Sequence, residues 1–261
     1  MIIETHAHYD DRAFEEDQEV CLERLKQYDI GLVVNVSASM DSSRATLELC
    51  RKYDYIYGAI GVHPSETKDL TQSDMIWLKD SVKEEKVVAI GEIGLDYYWD
   101  TPERDLQKKW FSHQLTLAID LDLPVIIHSR DAALDTLEMM REAVEVSKNK
   151  NQRLSGVIHC FSYGIEMARE FVKLGFYLGI GGVVTFKNAK KLKEVVDEIP
   201  LESLVVETDC PYLSPEPNRG KRNDSSNLTY IIQQIADIKH ITYHQVMEVT
   251  TNNARKLYRL S

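Results

Sequence analysis

Residues 2–10 read Ile-Ile-Glu-Thr-His-Ala-His-Tyr-Asp, with His6 and His8 separated by a single residue. In a strand, alternate side chains share a face, so these two imidazoles project together. A pair of neutral imidazoles is a ready set of ligands for a divalent cation. Farther along, further ligand types stand at the ends of apolar runs: His63, Glu92, His128, His159 and Asp209. Each alone has an ordinary reading as a hydrogen-bonded core histidine or a helix-capping carboxylate. Falling in register at the same end of separate strands, they read as one metal site.

Apart from His63, six groups remain: His6, His8, Glu92, His128, His159 and Asp209. A single catalytic zinc usually takes three protein ligands and a water. Six ligands match two divalent ions roughly 3.5–4 Å apart, bridged by a carboxylate and by water. Glu92 is central in strand order and has two oxygens, which makes it the expected bridge. His6, His8 and Asp209 come from the first and last strands and would serve one ion; His128 and His159 would serve the other. Imidazole-rich ligation completed by oxygen fits zinc, manganese, cobalt, nickel or iron(II) better than a pure magnesium site. The expected cofactor is therefore two divalent ions per chain, drawn from Zn, Mn, Mg, Ni or Co. Cys160 and Cys210 each follow an expected ligand and so point to the opposite strand face, as packing residues.

The elements that must position these groups alternate along the chain. Apolar, β-branched runs at 31–36, 56–60, 87–96, 124–128, 156–160, 176–180 and 204–209 follow the first at 2–8. Between them, helical spacing predicts helices over 18–29, 42–52, 74–84, 102–121, 132–146, 165–174 and 190–199, with two more near 226–238 and 242–258. Strands alternating with helices argue parallel βαβ units. About eight units in this length predict a TIM (β/α)8 barrel in one domain, 1–261, with a doubly wound open sheet as the competitor. In such a barrel the carboxyl ends of the strands gather on one face, where the chemistry sits.

With 261 residues, 43 % hydrophobic and 28 % charged, the composition is that of a globular domain. Lys and Arg number 31 against 42 Asp and Glu, and the net charge of −11 argues against a protein that coats nucleic acid non-specifically. Four cysteines lacking CxxC spacing predict buried thiols in a reducing compartment. Neither a signal peptide nor a membrane-length apolar run is legible, so the expectation is a cytoplasmic protein without membrane attachment or an obligate protein partner.

The segments THAHYD (5–10), GVHP (61–64), GEIGLDYYWD (91–100), LPVIIHSRDA (123–132), IHCFS (158–162), ETDCPYL (207–213), RGKRN (219–223) and TNNARKLY (251–258) run in order along essentially the whole chain. Together they resemble the TatD family of metal-dependent DNases, amidohydrolase-type hydrolases with a TIM-barrel fold. The resemblance implies a divalent-metal nuclease whose ligands fall on His6, His8, Glu92, His128, His159 and Asp209. It also implies a role for His63 towards the substrate phosphate or in supporting the ligands. Two departures alter the expected rim: Tyr163 stands before Gly164, where Gly usually follows HCFS, and Asp224-Ser225 replaces the usual Glu-Pro after RGKRN.

On this reading a metal-activated water attacks phosphorus, with Asp209 both ligating and accepting the water's proton. Arg130, Arg219 and Arg222 are expected to receive phosphates, with Lys221 beside them. One ring of Tyr97, Tyr98 and Trp99 is expected to stack an unpaired base, with Tyr97 the assigned contact. Glu4 and Glu207 lie two residues before ligands and are expected to support them or to pair internally. The expected activity is 3'–5' exonuclease-like cleavage of single-stranded or end-exposed DNA. The rivals are a hydrolase of the same barrel class acting on an amide, lactone or cyclic imide, and a non-catalytic scaffold. Many amidohydrolase-type enzymes bridge their metals with a carboxylated lysine; Glu92 in the corresponding strand favours the nuclease, and the complete ligand set disfavours a scaffold.

Overall fold

The computed structural model describes residues 1–99 and 101–260; Asp100, the last residue of the 91–100 motif, lies outside them. Among the described residues eight strands form one sheet in strict chain order: β1 (Ile2–Ala7), β2 (Ile30–Val36), β3 (Ile56–Ile60), β4 (Val87–Asp96), β5 (Val125–Arg130), β6 (Gly156–Ile158), β7 (Tyr177–Ile180) and β8 (Leu204–Val206). Every adjacent pair is parallel. The intervening helices are α1 (Gln18–Arg24), α2 (Met40–Lys52), α3 (Gln72–Ser81), α4 (Arg104–Asp120), α5 (Ala133–Asn149), α6 (Ile165–Lys173) and α7 (Lys190–Glu198); α8 (Leu228–Lys239) and α9 (Tyr243–Tyr258) follow β8. A parallel pair needs a crossover, and sequential order with a helix in each crossover curls the sheet into a barrel.

The last strand returns to the first, which separates the barrel from an open sheet. Ala7 and Cys210 form a parallel bridge, His8 N donates to Cys210 O at 2.8 Å, and Asp209 N donates to His6 O at 3.0 Å. One step deeper, the Glu4 carboxylate accepts from Thr208 N at 2.9 Å and Thr208 Oγ1 at 2.6 Å. The closure therefore runs through the two segments that carry His6, His8 and Asp209.

Side-chain alternation divides the apolar residues into two layers. Val34, Val36, Ile126, Val157 and Val205 fill the barrel interior, while Val33, Val125, Ile127 and Leu204 pack outwards against the helices. The C-terminal turn of α9 plugs the lower end, where buried Tyr258 donates its hydroxyl to Thr5 O at 2.9 Å. His128 shares the parity of Ile126, and Asp209 that of Val205, so an apolar floor lies beneath the polar mouth. Truncating Ile126 to Ala in this packed interior would cost about 2–5 kcal/mol.

The differences from the predicted boundaries are local and physical. The helix predicted over 42–52 begins at Met40, because Ser39 Oγ accepts from Ser42 N as its cap. The segment predicted as one helix over 18–29 tightens to a 3-10 turn at Leu25–Tyr28 and ends at Asp29, whose φ of 58° leaves the right-handed region. The predicted strands 156–160 and 204–209 stop early, since Cys160 (φ 45°) and Asp209 (φ 57°) turn left-handed. His159 and Asp209 therefore sit on turns at the strand ends rather than in the ladder. Among the described residues no helix is long and apolar enough to cross a membrane.

Candidate metal centre

The structure gathers the six expected ligands at the carboxyl mouth of the barrel around Glu92. Its two carboxylate oxygens face different partners. Oε1 stands 2.8 Å from His128 Nδ1 and 2.8 Å from His159 Nε2. Oε2 faces His6 Nε2 at 3.5 Å and His8 Nε2 at 3.8 Å. Asp209 Oδ1 closes the second group, 3.7 Å from His6 Nε2 and 3.3 Å from His8 Nε2. His6, His8 and Asp209 form one set of ligand atoms within 4.8 Å of one another; His63, Glu92 and His128 form another.

Local structure aims these nitrogens. His8 Nδ1 stands 2.7 Å from Val36 O, a contact that turns Nε2 towards the site. His6 stacks on His159 with ring centroids 3.9 Å apart, so the two rings fix each other's plane. Gly94 (φ 144°) lets β4 approach β5, since a Cβ there would lie 1.9 Å from His128 O. Gly179 has an equally specific use: a Cβ on it would sit 2.2 Å from Glu207 Oε2. The space it leaves lets the buried Glu207 carboxylate lie beneath His159, Oε1 3.5 Å from Nδ1, while accepting from Cys160 N.

The electrostatics call for positive charge. Burial raises a carboxyl pKa, yet Glu92 lies well below its usual range because His159 and His63 face it and His128 and His159 bond it. Asp209 is lowered in the same way, burial being outweighed by the bond from His8 and by His159 and His6. In return His8, despite burial, is pushed up to about 9 by Asp209 and Glu92. His63 goes the other way, lowered to about 3 by burial and by neighbouring His128. Among the described residues Glu92, Asp96 and Asp209 pair only with imidazoles, never with Lys or Arg. Ionised carboxylates and convergent ring nitrogens with no fixed cation of their own are a donor set that fits divalent metal.

Asp96 was not singled out by sequence reasoning. It is 4 % exposed and sets Oδ2 3.0 Å from His128 Nε2, while Oδ1 accepts from Tyr98 N at 3.0 Å. The available signal was parity, since Glu92, Gly94 and Asp96 alternate along one strand. Tyr212 was also missed; its ring lies edge-on to His8 at 6.2 Å and its hydroxyl donates to Asp11 at 2.7 Å.

The expected substrate contacts divide. His63 sits at the site, its Nε2 3.8 Å from Glu92 Oε1, and Ser65 N donates to its Nδ1 at 3.2 Å. Arg130 is exposed at the end of β5 with its guanidinium 3.8 Å over the Tyr98 ring. Arg219 is exposed too, over Phe186 at 4.3 Å. Arg222, expected to take phosphate, instead forks onto both Asp17 oxygens at 2.7 Å and also donates to Ala13 O. Tyr97, expected to stack a base, gives its hydroxyl to Asp135 at 2.7 Å and lies under Arg104 at 4.3 Å. Its ring and Arg222's fork are thus committed within the chain. Tyr163 packs rather than lining an open rim, sharing a hydrogen bond with Ser129 Oγ at 2.8 Å. Ser225 is buried and accepts from the Tyr9 hydroxyl at 2.9 Å, while Asp224 caps the turn after it. The 224–225 departure therefore serves folding of the loop.

Comparison with known proteins gives the family and agrees with the barrel fold. The family model for TatD related DNase matches residues 3–259. The uncharacterized metal-dependent hydrolase YabD of Bacillus subtilis is 44 % identical over 261 residues, covering 100 % of both chains. The uncharacterized metal-dependent hydrolase YcfH of Escherichia coli is 33 % identical over 263 residues, covering 100 % of this chain and 96 % of the relative. The crystal structure of YjjV, a TatD homolog from Escherichia coli, superposes with a TM-score of 0.92 at 29 % identity, covering 100 % of this chain and 98 % of that one. The chain belongs to the TatD-related DNase family and is a metal-dependent hydrolase.

Proposed function

We infer that the protein hydrolyses phosphodiester bonds of DNA with two divalent ions, acting in the manner of a 3'–5' exonuclease on single-stranded or end-exposed chains. The observation that carries the reading is the division of Glu92, one oxygen towards His128 and His159 and the other towards His6 and His8. A carboxylate whose two oxygens face separate sets of imidazoles could serve two ions at once. His6, His8 and Asp209 would hold one ion, His128 and His159 the other. Bound divalent ions supply neutralisation of the phosphate oxygens and acidification of a water.

The chain's own groups do the rest. Asp209, ionised beside His8, accepts the proton of the attacking water. Because Ser65 N donates to His63 Nδ1, the hydrogen of that neutral ring sits on Nε2 and is offered to a phosphoryl oxygen. With its basicity so low, His63 acts as a neutral donor and not as an imidazolium acid. A glutamate at this place on β4, where a carboxylated lysine would suit amide and lactone hydrolases, supports phosphodiester chemistry over those substrates.

The test is hydrolysis of labelled single-stranded DNA by chelated protein with Mg²⁺, Mn²⁺ or Zn²⁺ restored separately. Glu92→Ala and Asp209→Asn run alongside. Metal-dependent cleavage lost in both variants is expected. No cleavage with two metals bound per chain would overturn the reading in favour of an amide or lactone substrate.

A further inference from the structure

The segment between β4 and α4 leaves the site carrying two large exposed rings. Tyr98 is 54 % exposed and Trp99 66 %, in edge contact at 4.9 Å. Together the two adjoining rings offer a broad apolar surface with flat faces. The loop is not loosely attached: Tyr98 N donates to Asp96 Oδ1, and Asp96 Oδ2 faces His128. The pair is therefore tied, through one carboxylate, to a metal-ligand histidine.

Arg130 joins the rings from the neighbouring strand. It lies two residues beyond His128 on β5, about 6.6 Å farther up the same face. Its guanidinium rests on Tyr98 at 3.8 Å, and among the described residues it makes no ion pair. A guanidinium held flat by an aromatic ring keeps its edge donors available, and these match phosphate geometry. Trp99, in edge contact with Tyr98, offers an indole face. An edge that takes phosphate next to a flat face that takes a base describes one nucleotide.

We propose that Trp99 and Tyr98 with Arg130 form a nucleotide platform that stacks one unpaired base, with its phosphate on Arg130, beside the reacting phosphodiester. The inference rests on the nuclease reading and narrows it, because a paired base keeps its faces within the duplex and has none to give. It moves the stacking role from Tyr97, whose hydroxyl and ring are already engaged, to Trp99.

Stopped-flow tryptophan fluorescence on the zinc-loaded full chain tests it, with an oligothymidylate octamer, an abasic octamer and a blunt hairpin as probes. Trp110 is 4 % exposed and Trp77 is half-buried beneath Arg44, so Trp99 carries the response. The expected result is a rapid quench by the thymidylate octamer that the abasic octamer does not produce and the hairpin produces weakly. Trp99→Phe should lose the quench yet keep affinity by anisotropy of labelled octamer. Trp99→Ala and Arg130→Ala should weaken binding, the former roughly 5- to 150-fold, with metal content and melting temperature unchanged. Equal binding of thymidylate and abasic octamers, or full affinity in Trp99→Ala, overturns the platform even if the protein cleaves DNA. Trp99-dependent binding without any cleavage would instead sustain the platform and sink the nuclease.

Discussion

Asp96 Oδ2 lies 3.0 Å from His128 Nε2, on the side of the ring opposite the Nδ1 that faces Glu92. One imidazole is thus held between two carboxylates, with Asp96 setting the ring plane. A ligand histidine steadied in this way is a better base towards metal, and loss of such a partner typically costs 10–100-fold in affinity. Asp96→Ala is expected to lower affinity for divalent metal at His128 by about that factor, read by competition with a chelator. Asp96→Asn keeps an acceptor oxygen and should recover part of the loss. Unchanged metal affinity in Asp96→Ala would exclude the role.

Metal should also stabilise the fold, because its ligands come from both sides of the barrel closure. Asp209 follows β8 and accepts the return of β1, which carries His6 and His8. An ion at a hundred times its dissociation constant adds about 2.7 kcal/mol. For a chain near this size that is about 5–11 °C in melting temperature. Chelation should lower the melting temperature by that much, and Glu92→Ala should melt nearly independently of metal. A melting temperature indifferent to chelation in the wild type would mean that the site holds no ion.

Much of this site was legible because barrel geometry turns strand order into spatial order. His6 and His8 were readable from spacing, and His128, His159 and Asp209 from their place after apolar runs. Asp96 was harder, since it resembles an ordinary end-of-strand carboxylate until His128 is seen beside it. Arg222 was unreadable: its partner Asp17 is 205 positions away, and nothing local distinguishes an ion-paired fork from a free one. The strands end at Ile158 and Val206, short of the predicted 160 and 209, because the left-handed turns at Cys160 and Asp209 leave no mark in hydrophobic pattern.

The thiols offer a pH test away from the ligands. Burial pushes Cys50 up from 9.0 to about 12, and burial likewise raises Cys21. A thiol raised in the folded state favours folding while protonated. Its contribution is full below pH 9, the unfolded value, and is lost as pH climbs towards about 12. The native protein should therefore react slowly with a disulfide reagent at pH 8 and yield all four thiols in denaturant. Cys50→Ser should flatten the alkaline fall in stability. Rapid native labelling of Cys50 at pH 8 would contradict its burial.

Arg222 and Asp17 together should behave as a clamp on the loop after β8, not as a phosphate contact. Arg222 forks onto Asp17 and lies over Phe14 at 4.7 Å, pinning 211–224 against the segment before α1. Neighbouring Asn223 ties the same loop to Thr208 O at 2.9 Å, directly before Asp209. A phosphate contact would make Arg222→Ala costly and Asp17→Ala harmless or beneficial, since the latter frees the guanidinium. A clamp makes the two substitutions alike, with the double variant no worse than either. The expected outcome is a shared, severalfold rise in KM for single-stranded DNA and an unchanged salt dependence of binding. A shallower salt slope in Arg222→Ala alone would return that residue to the substrate.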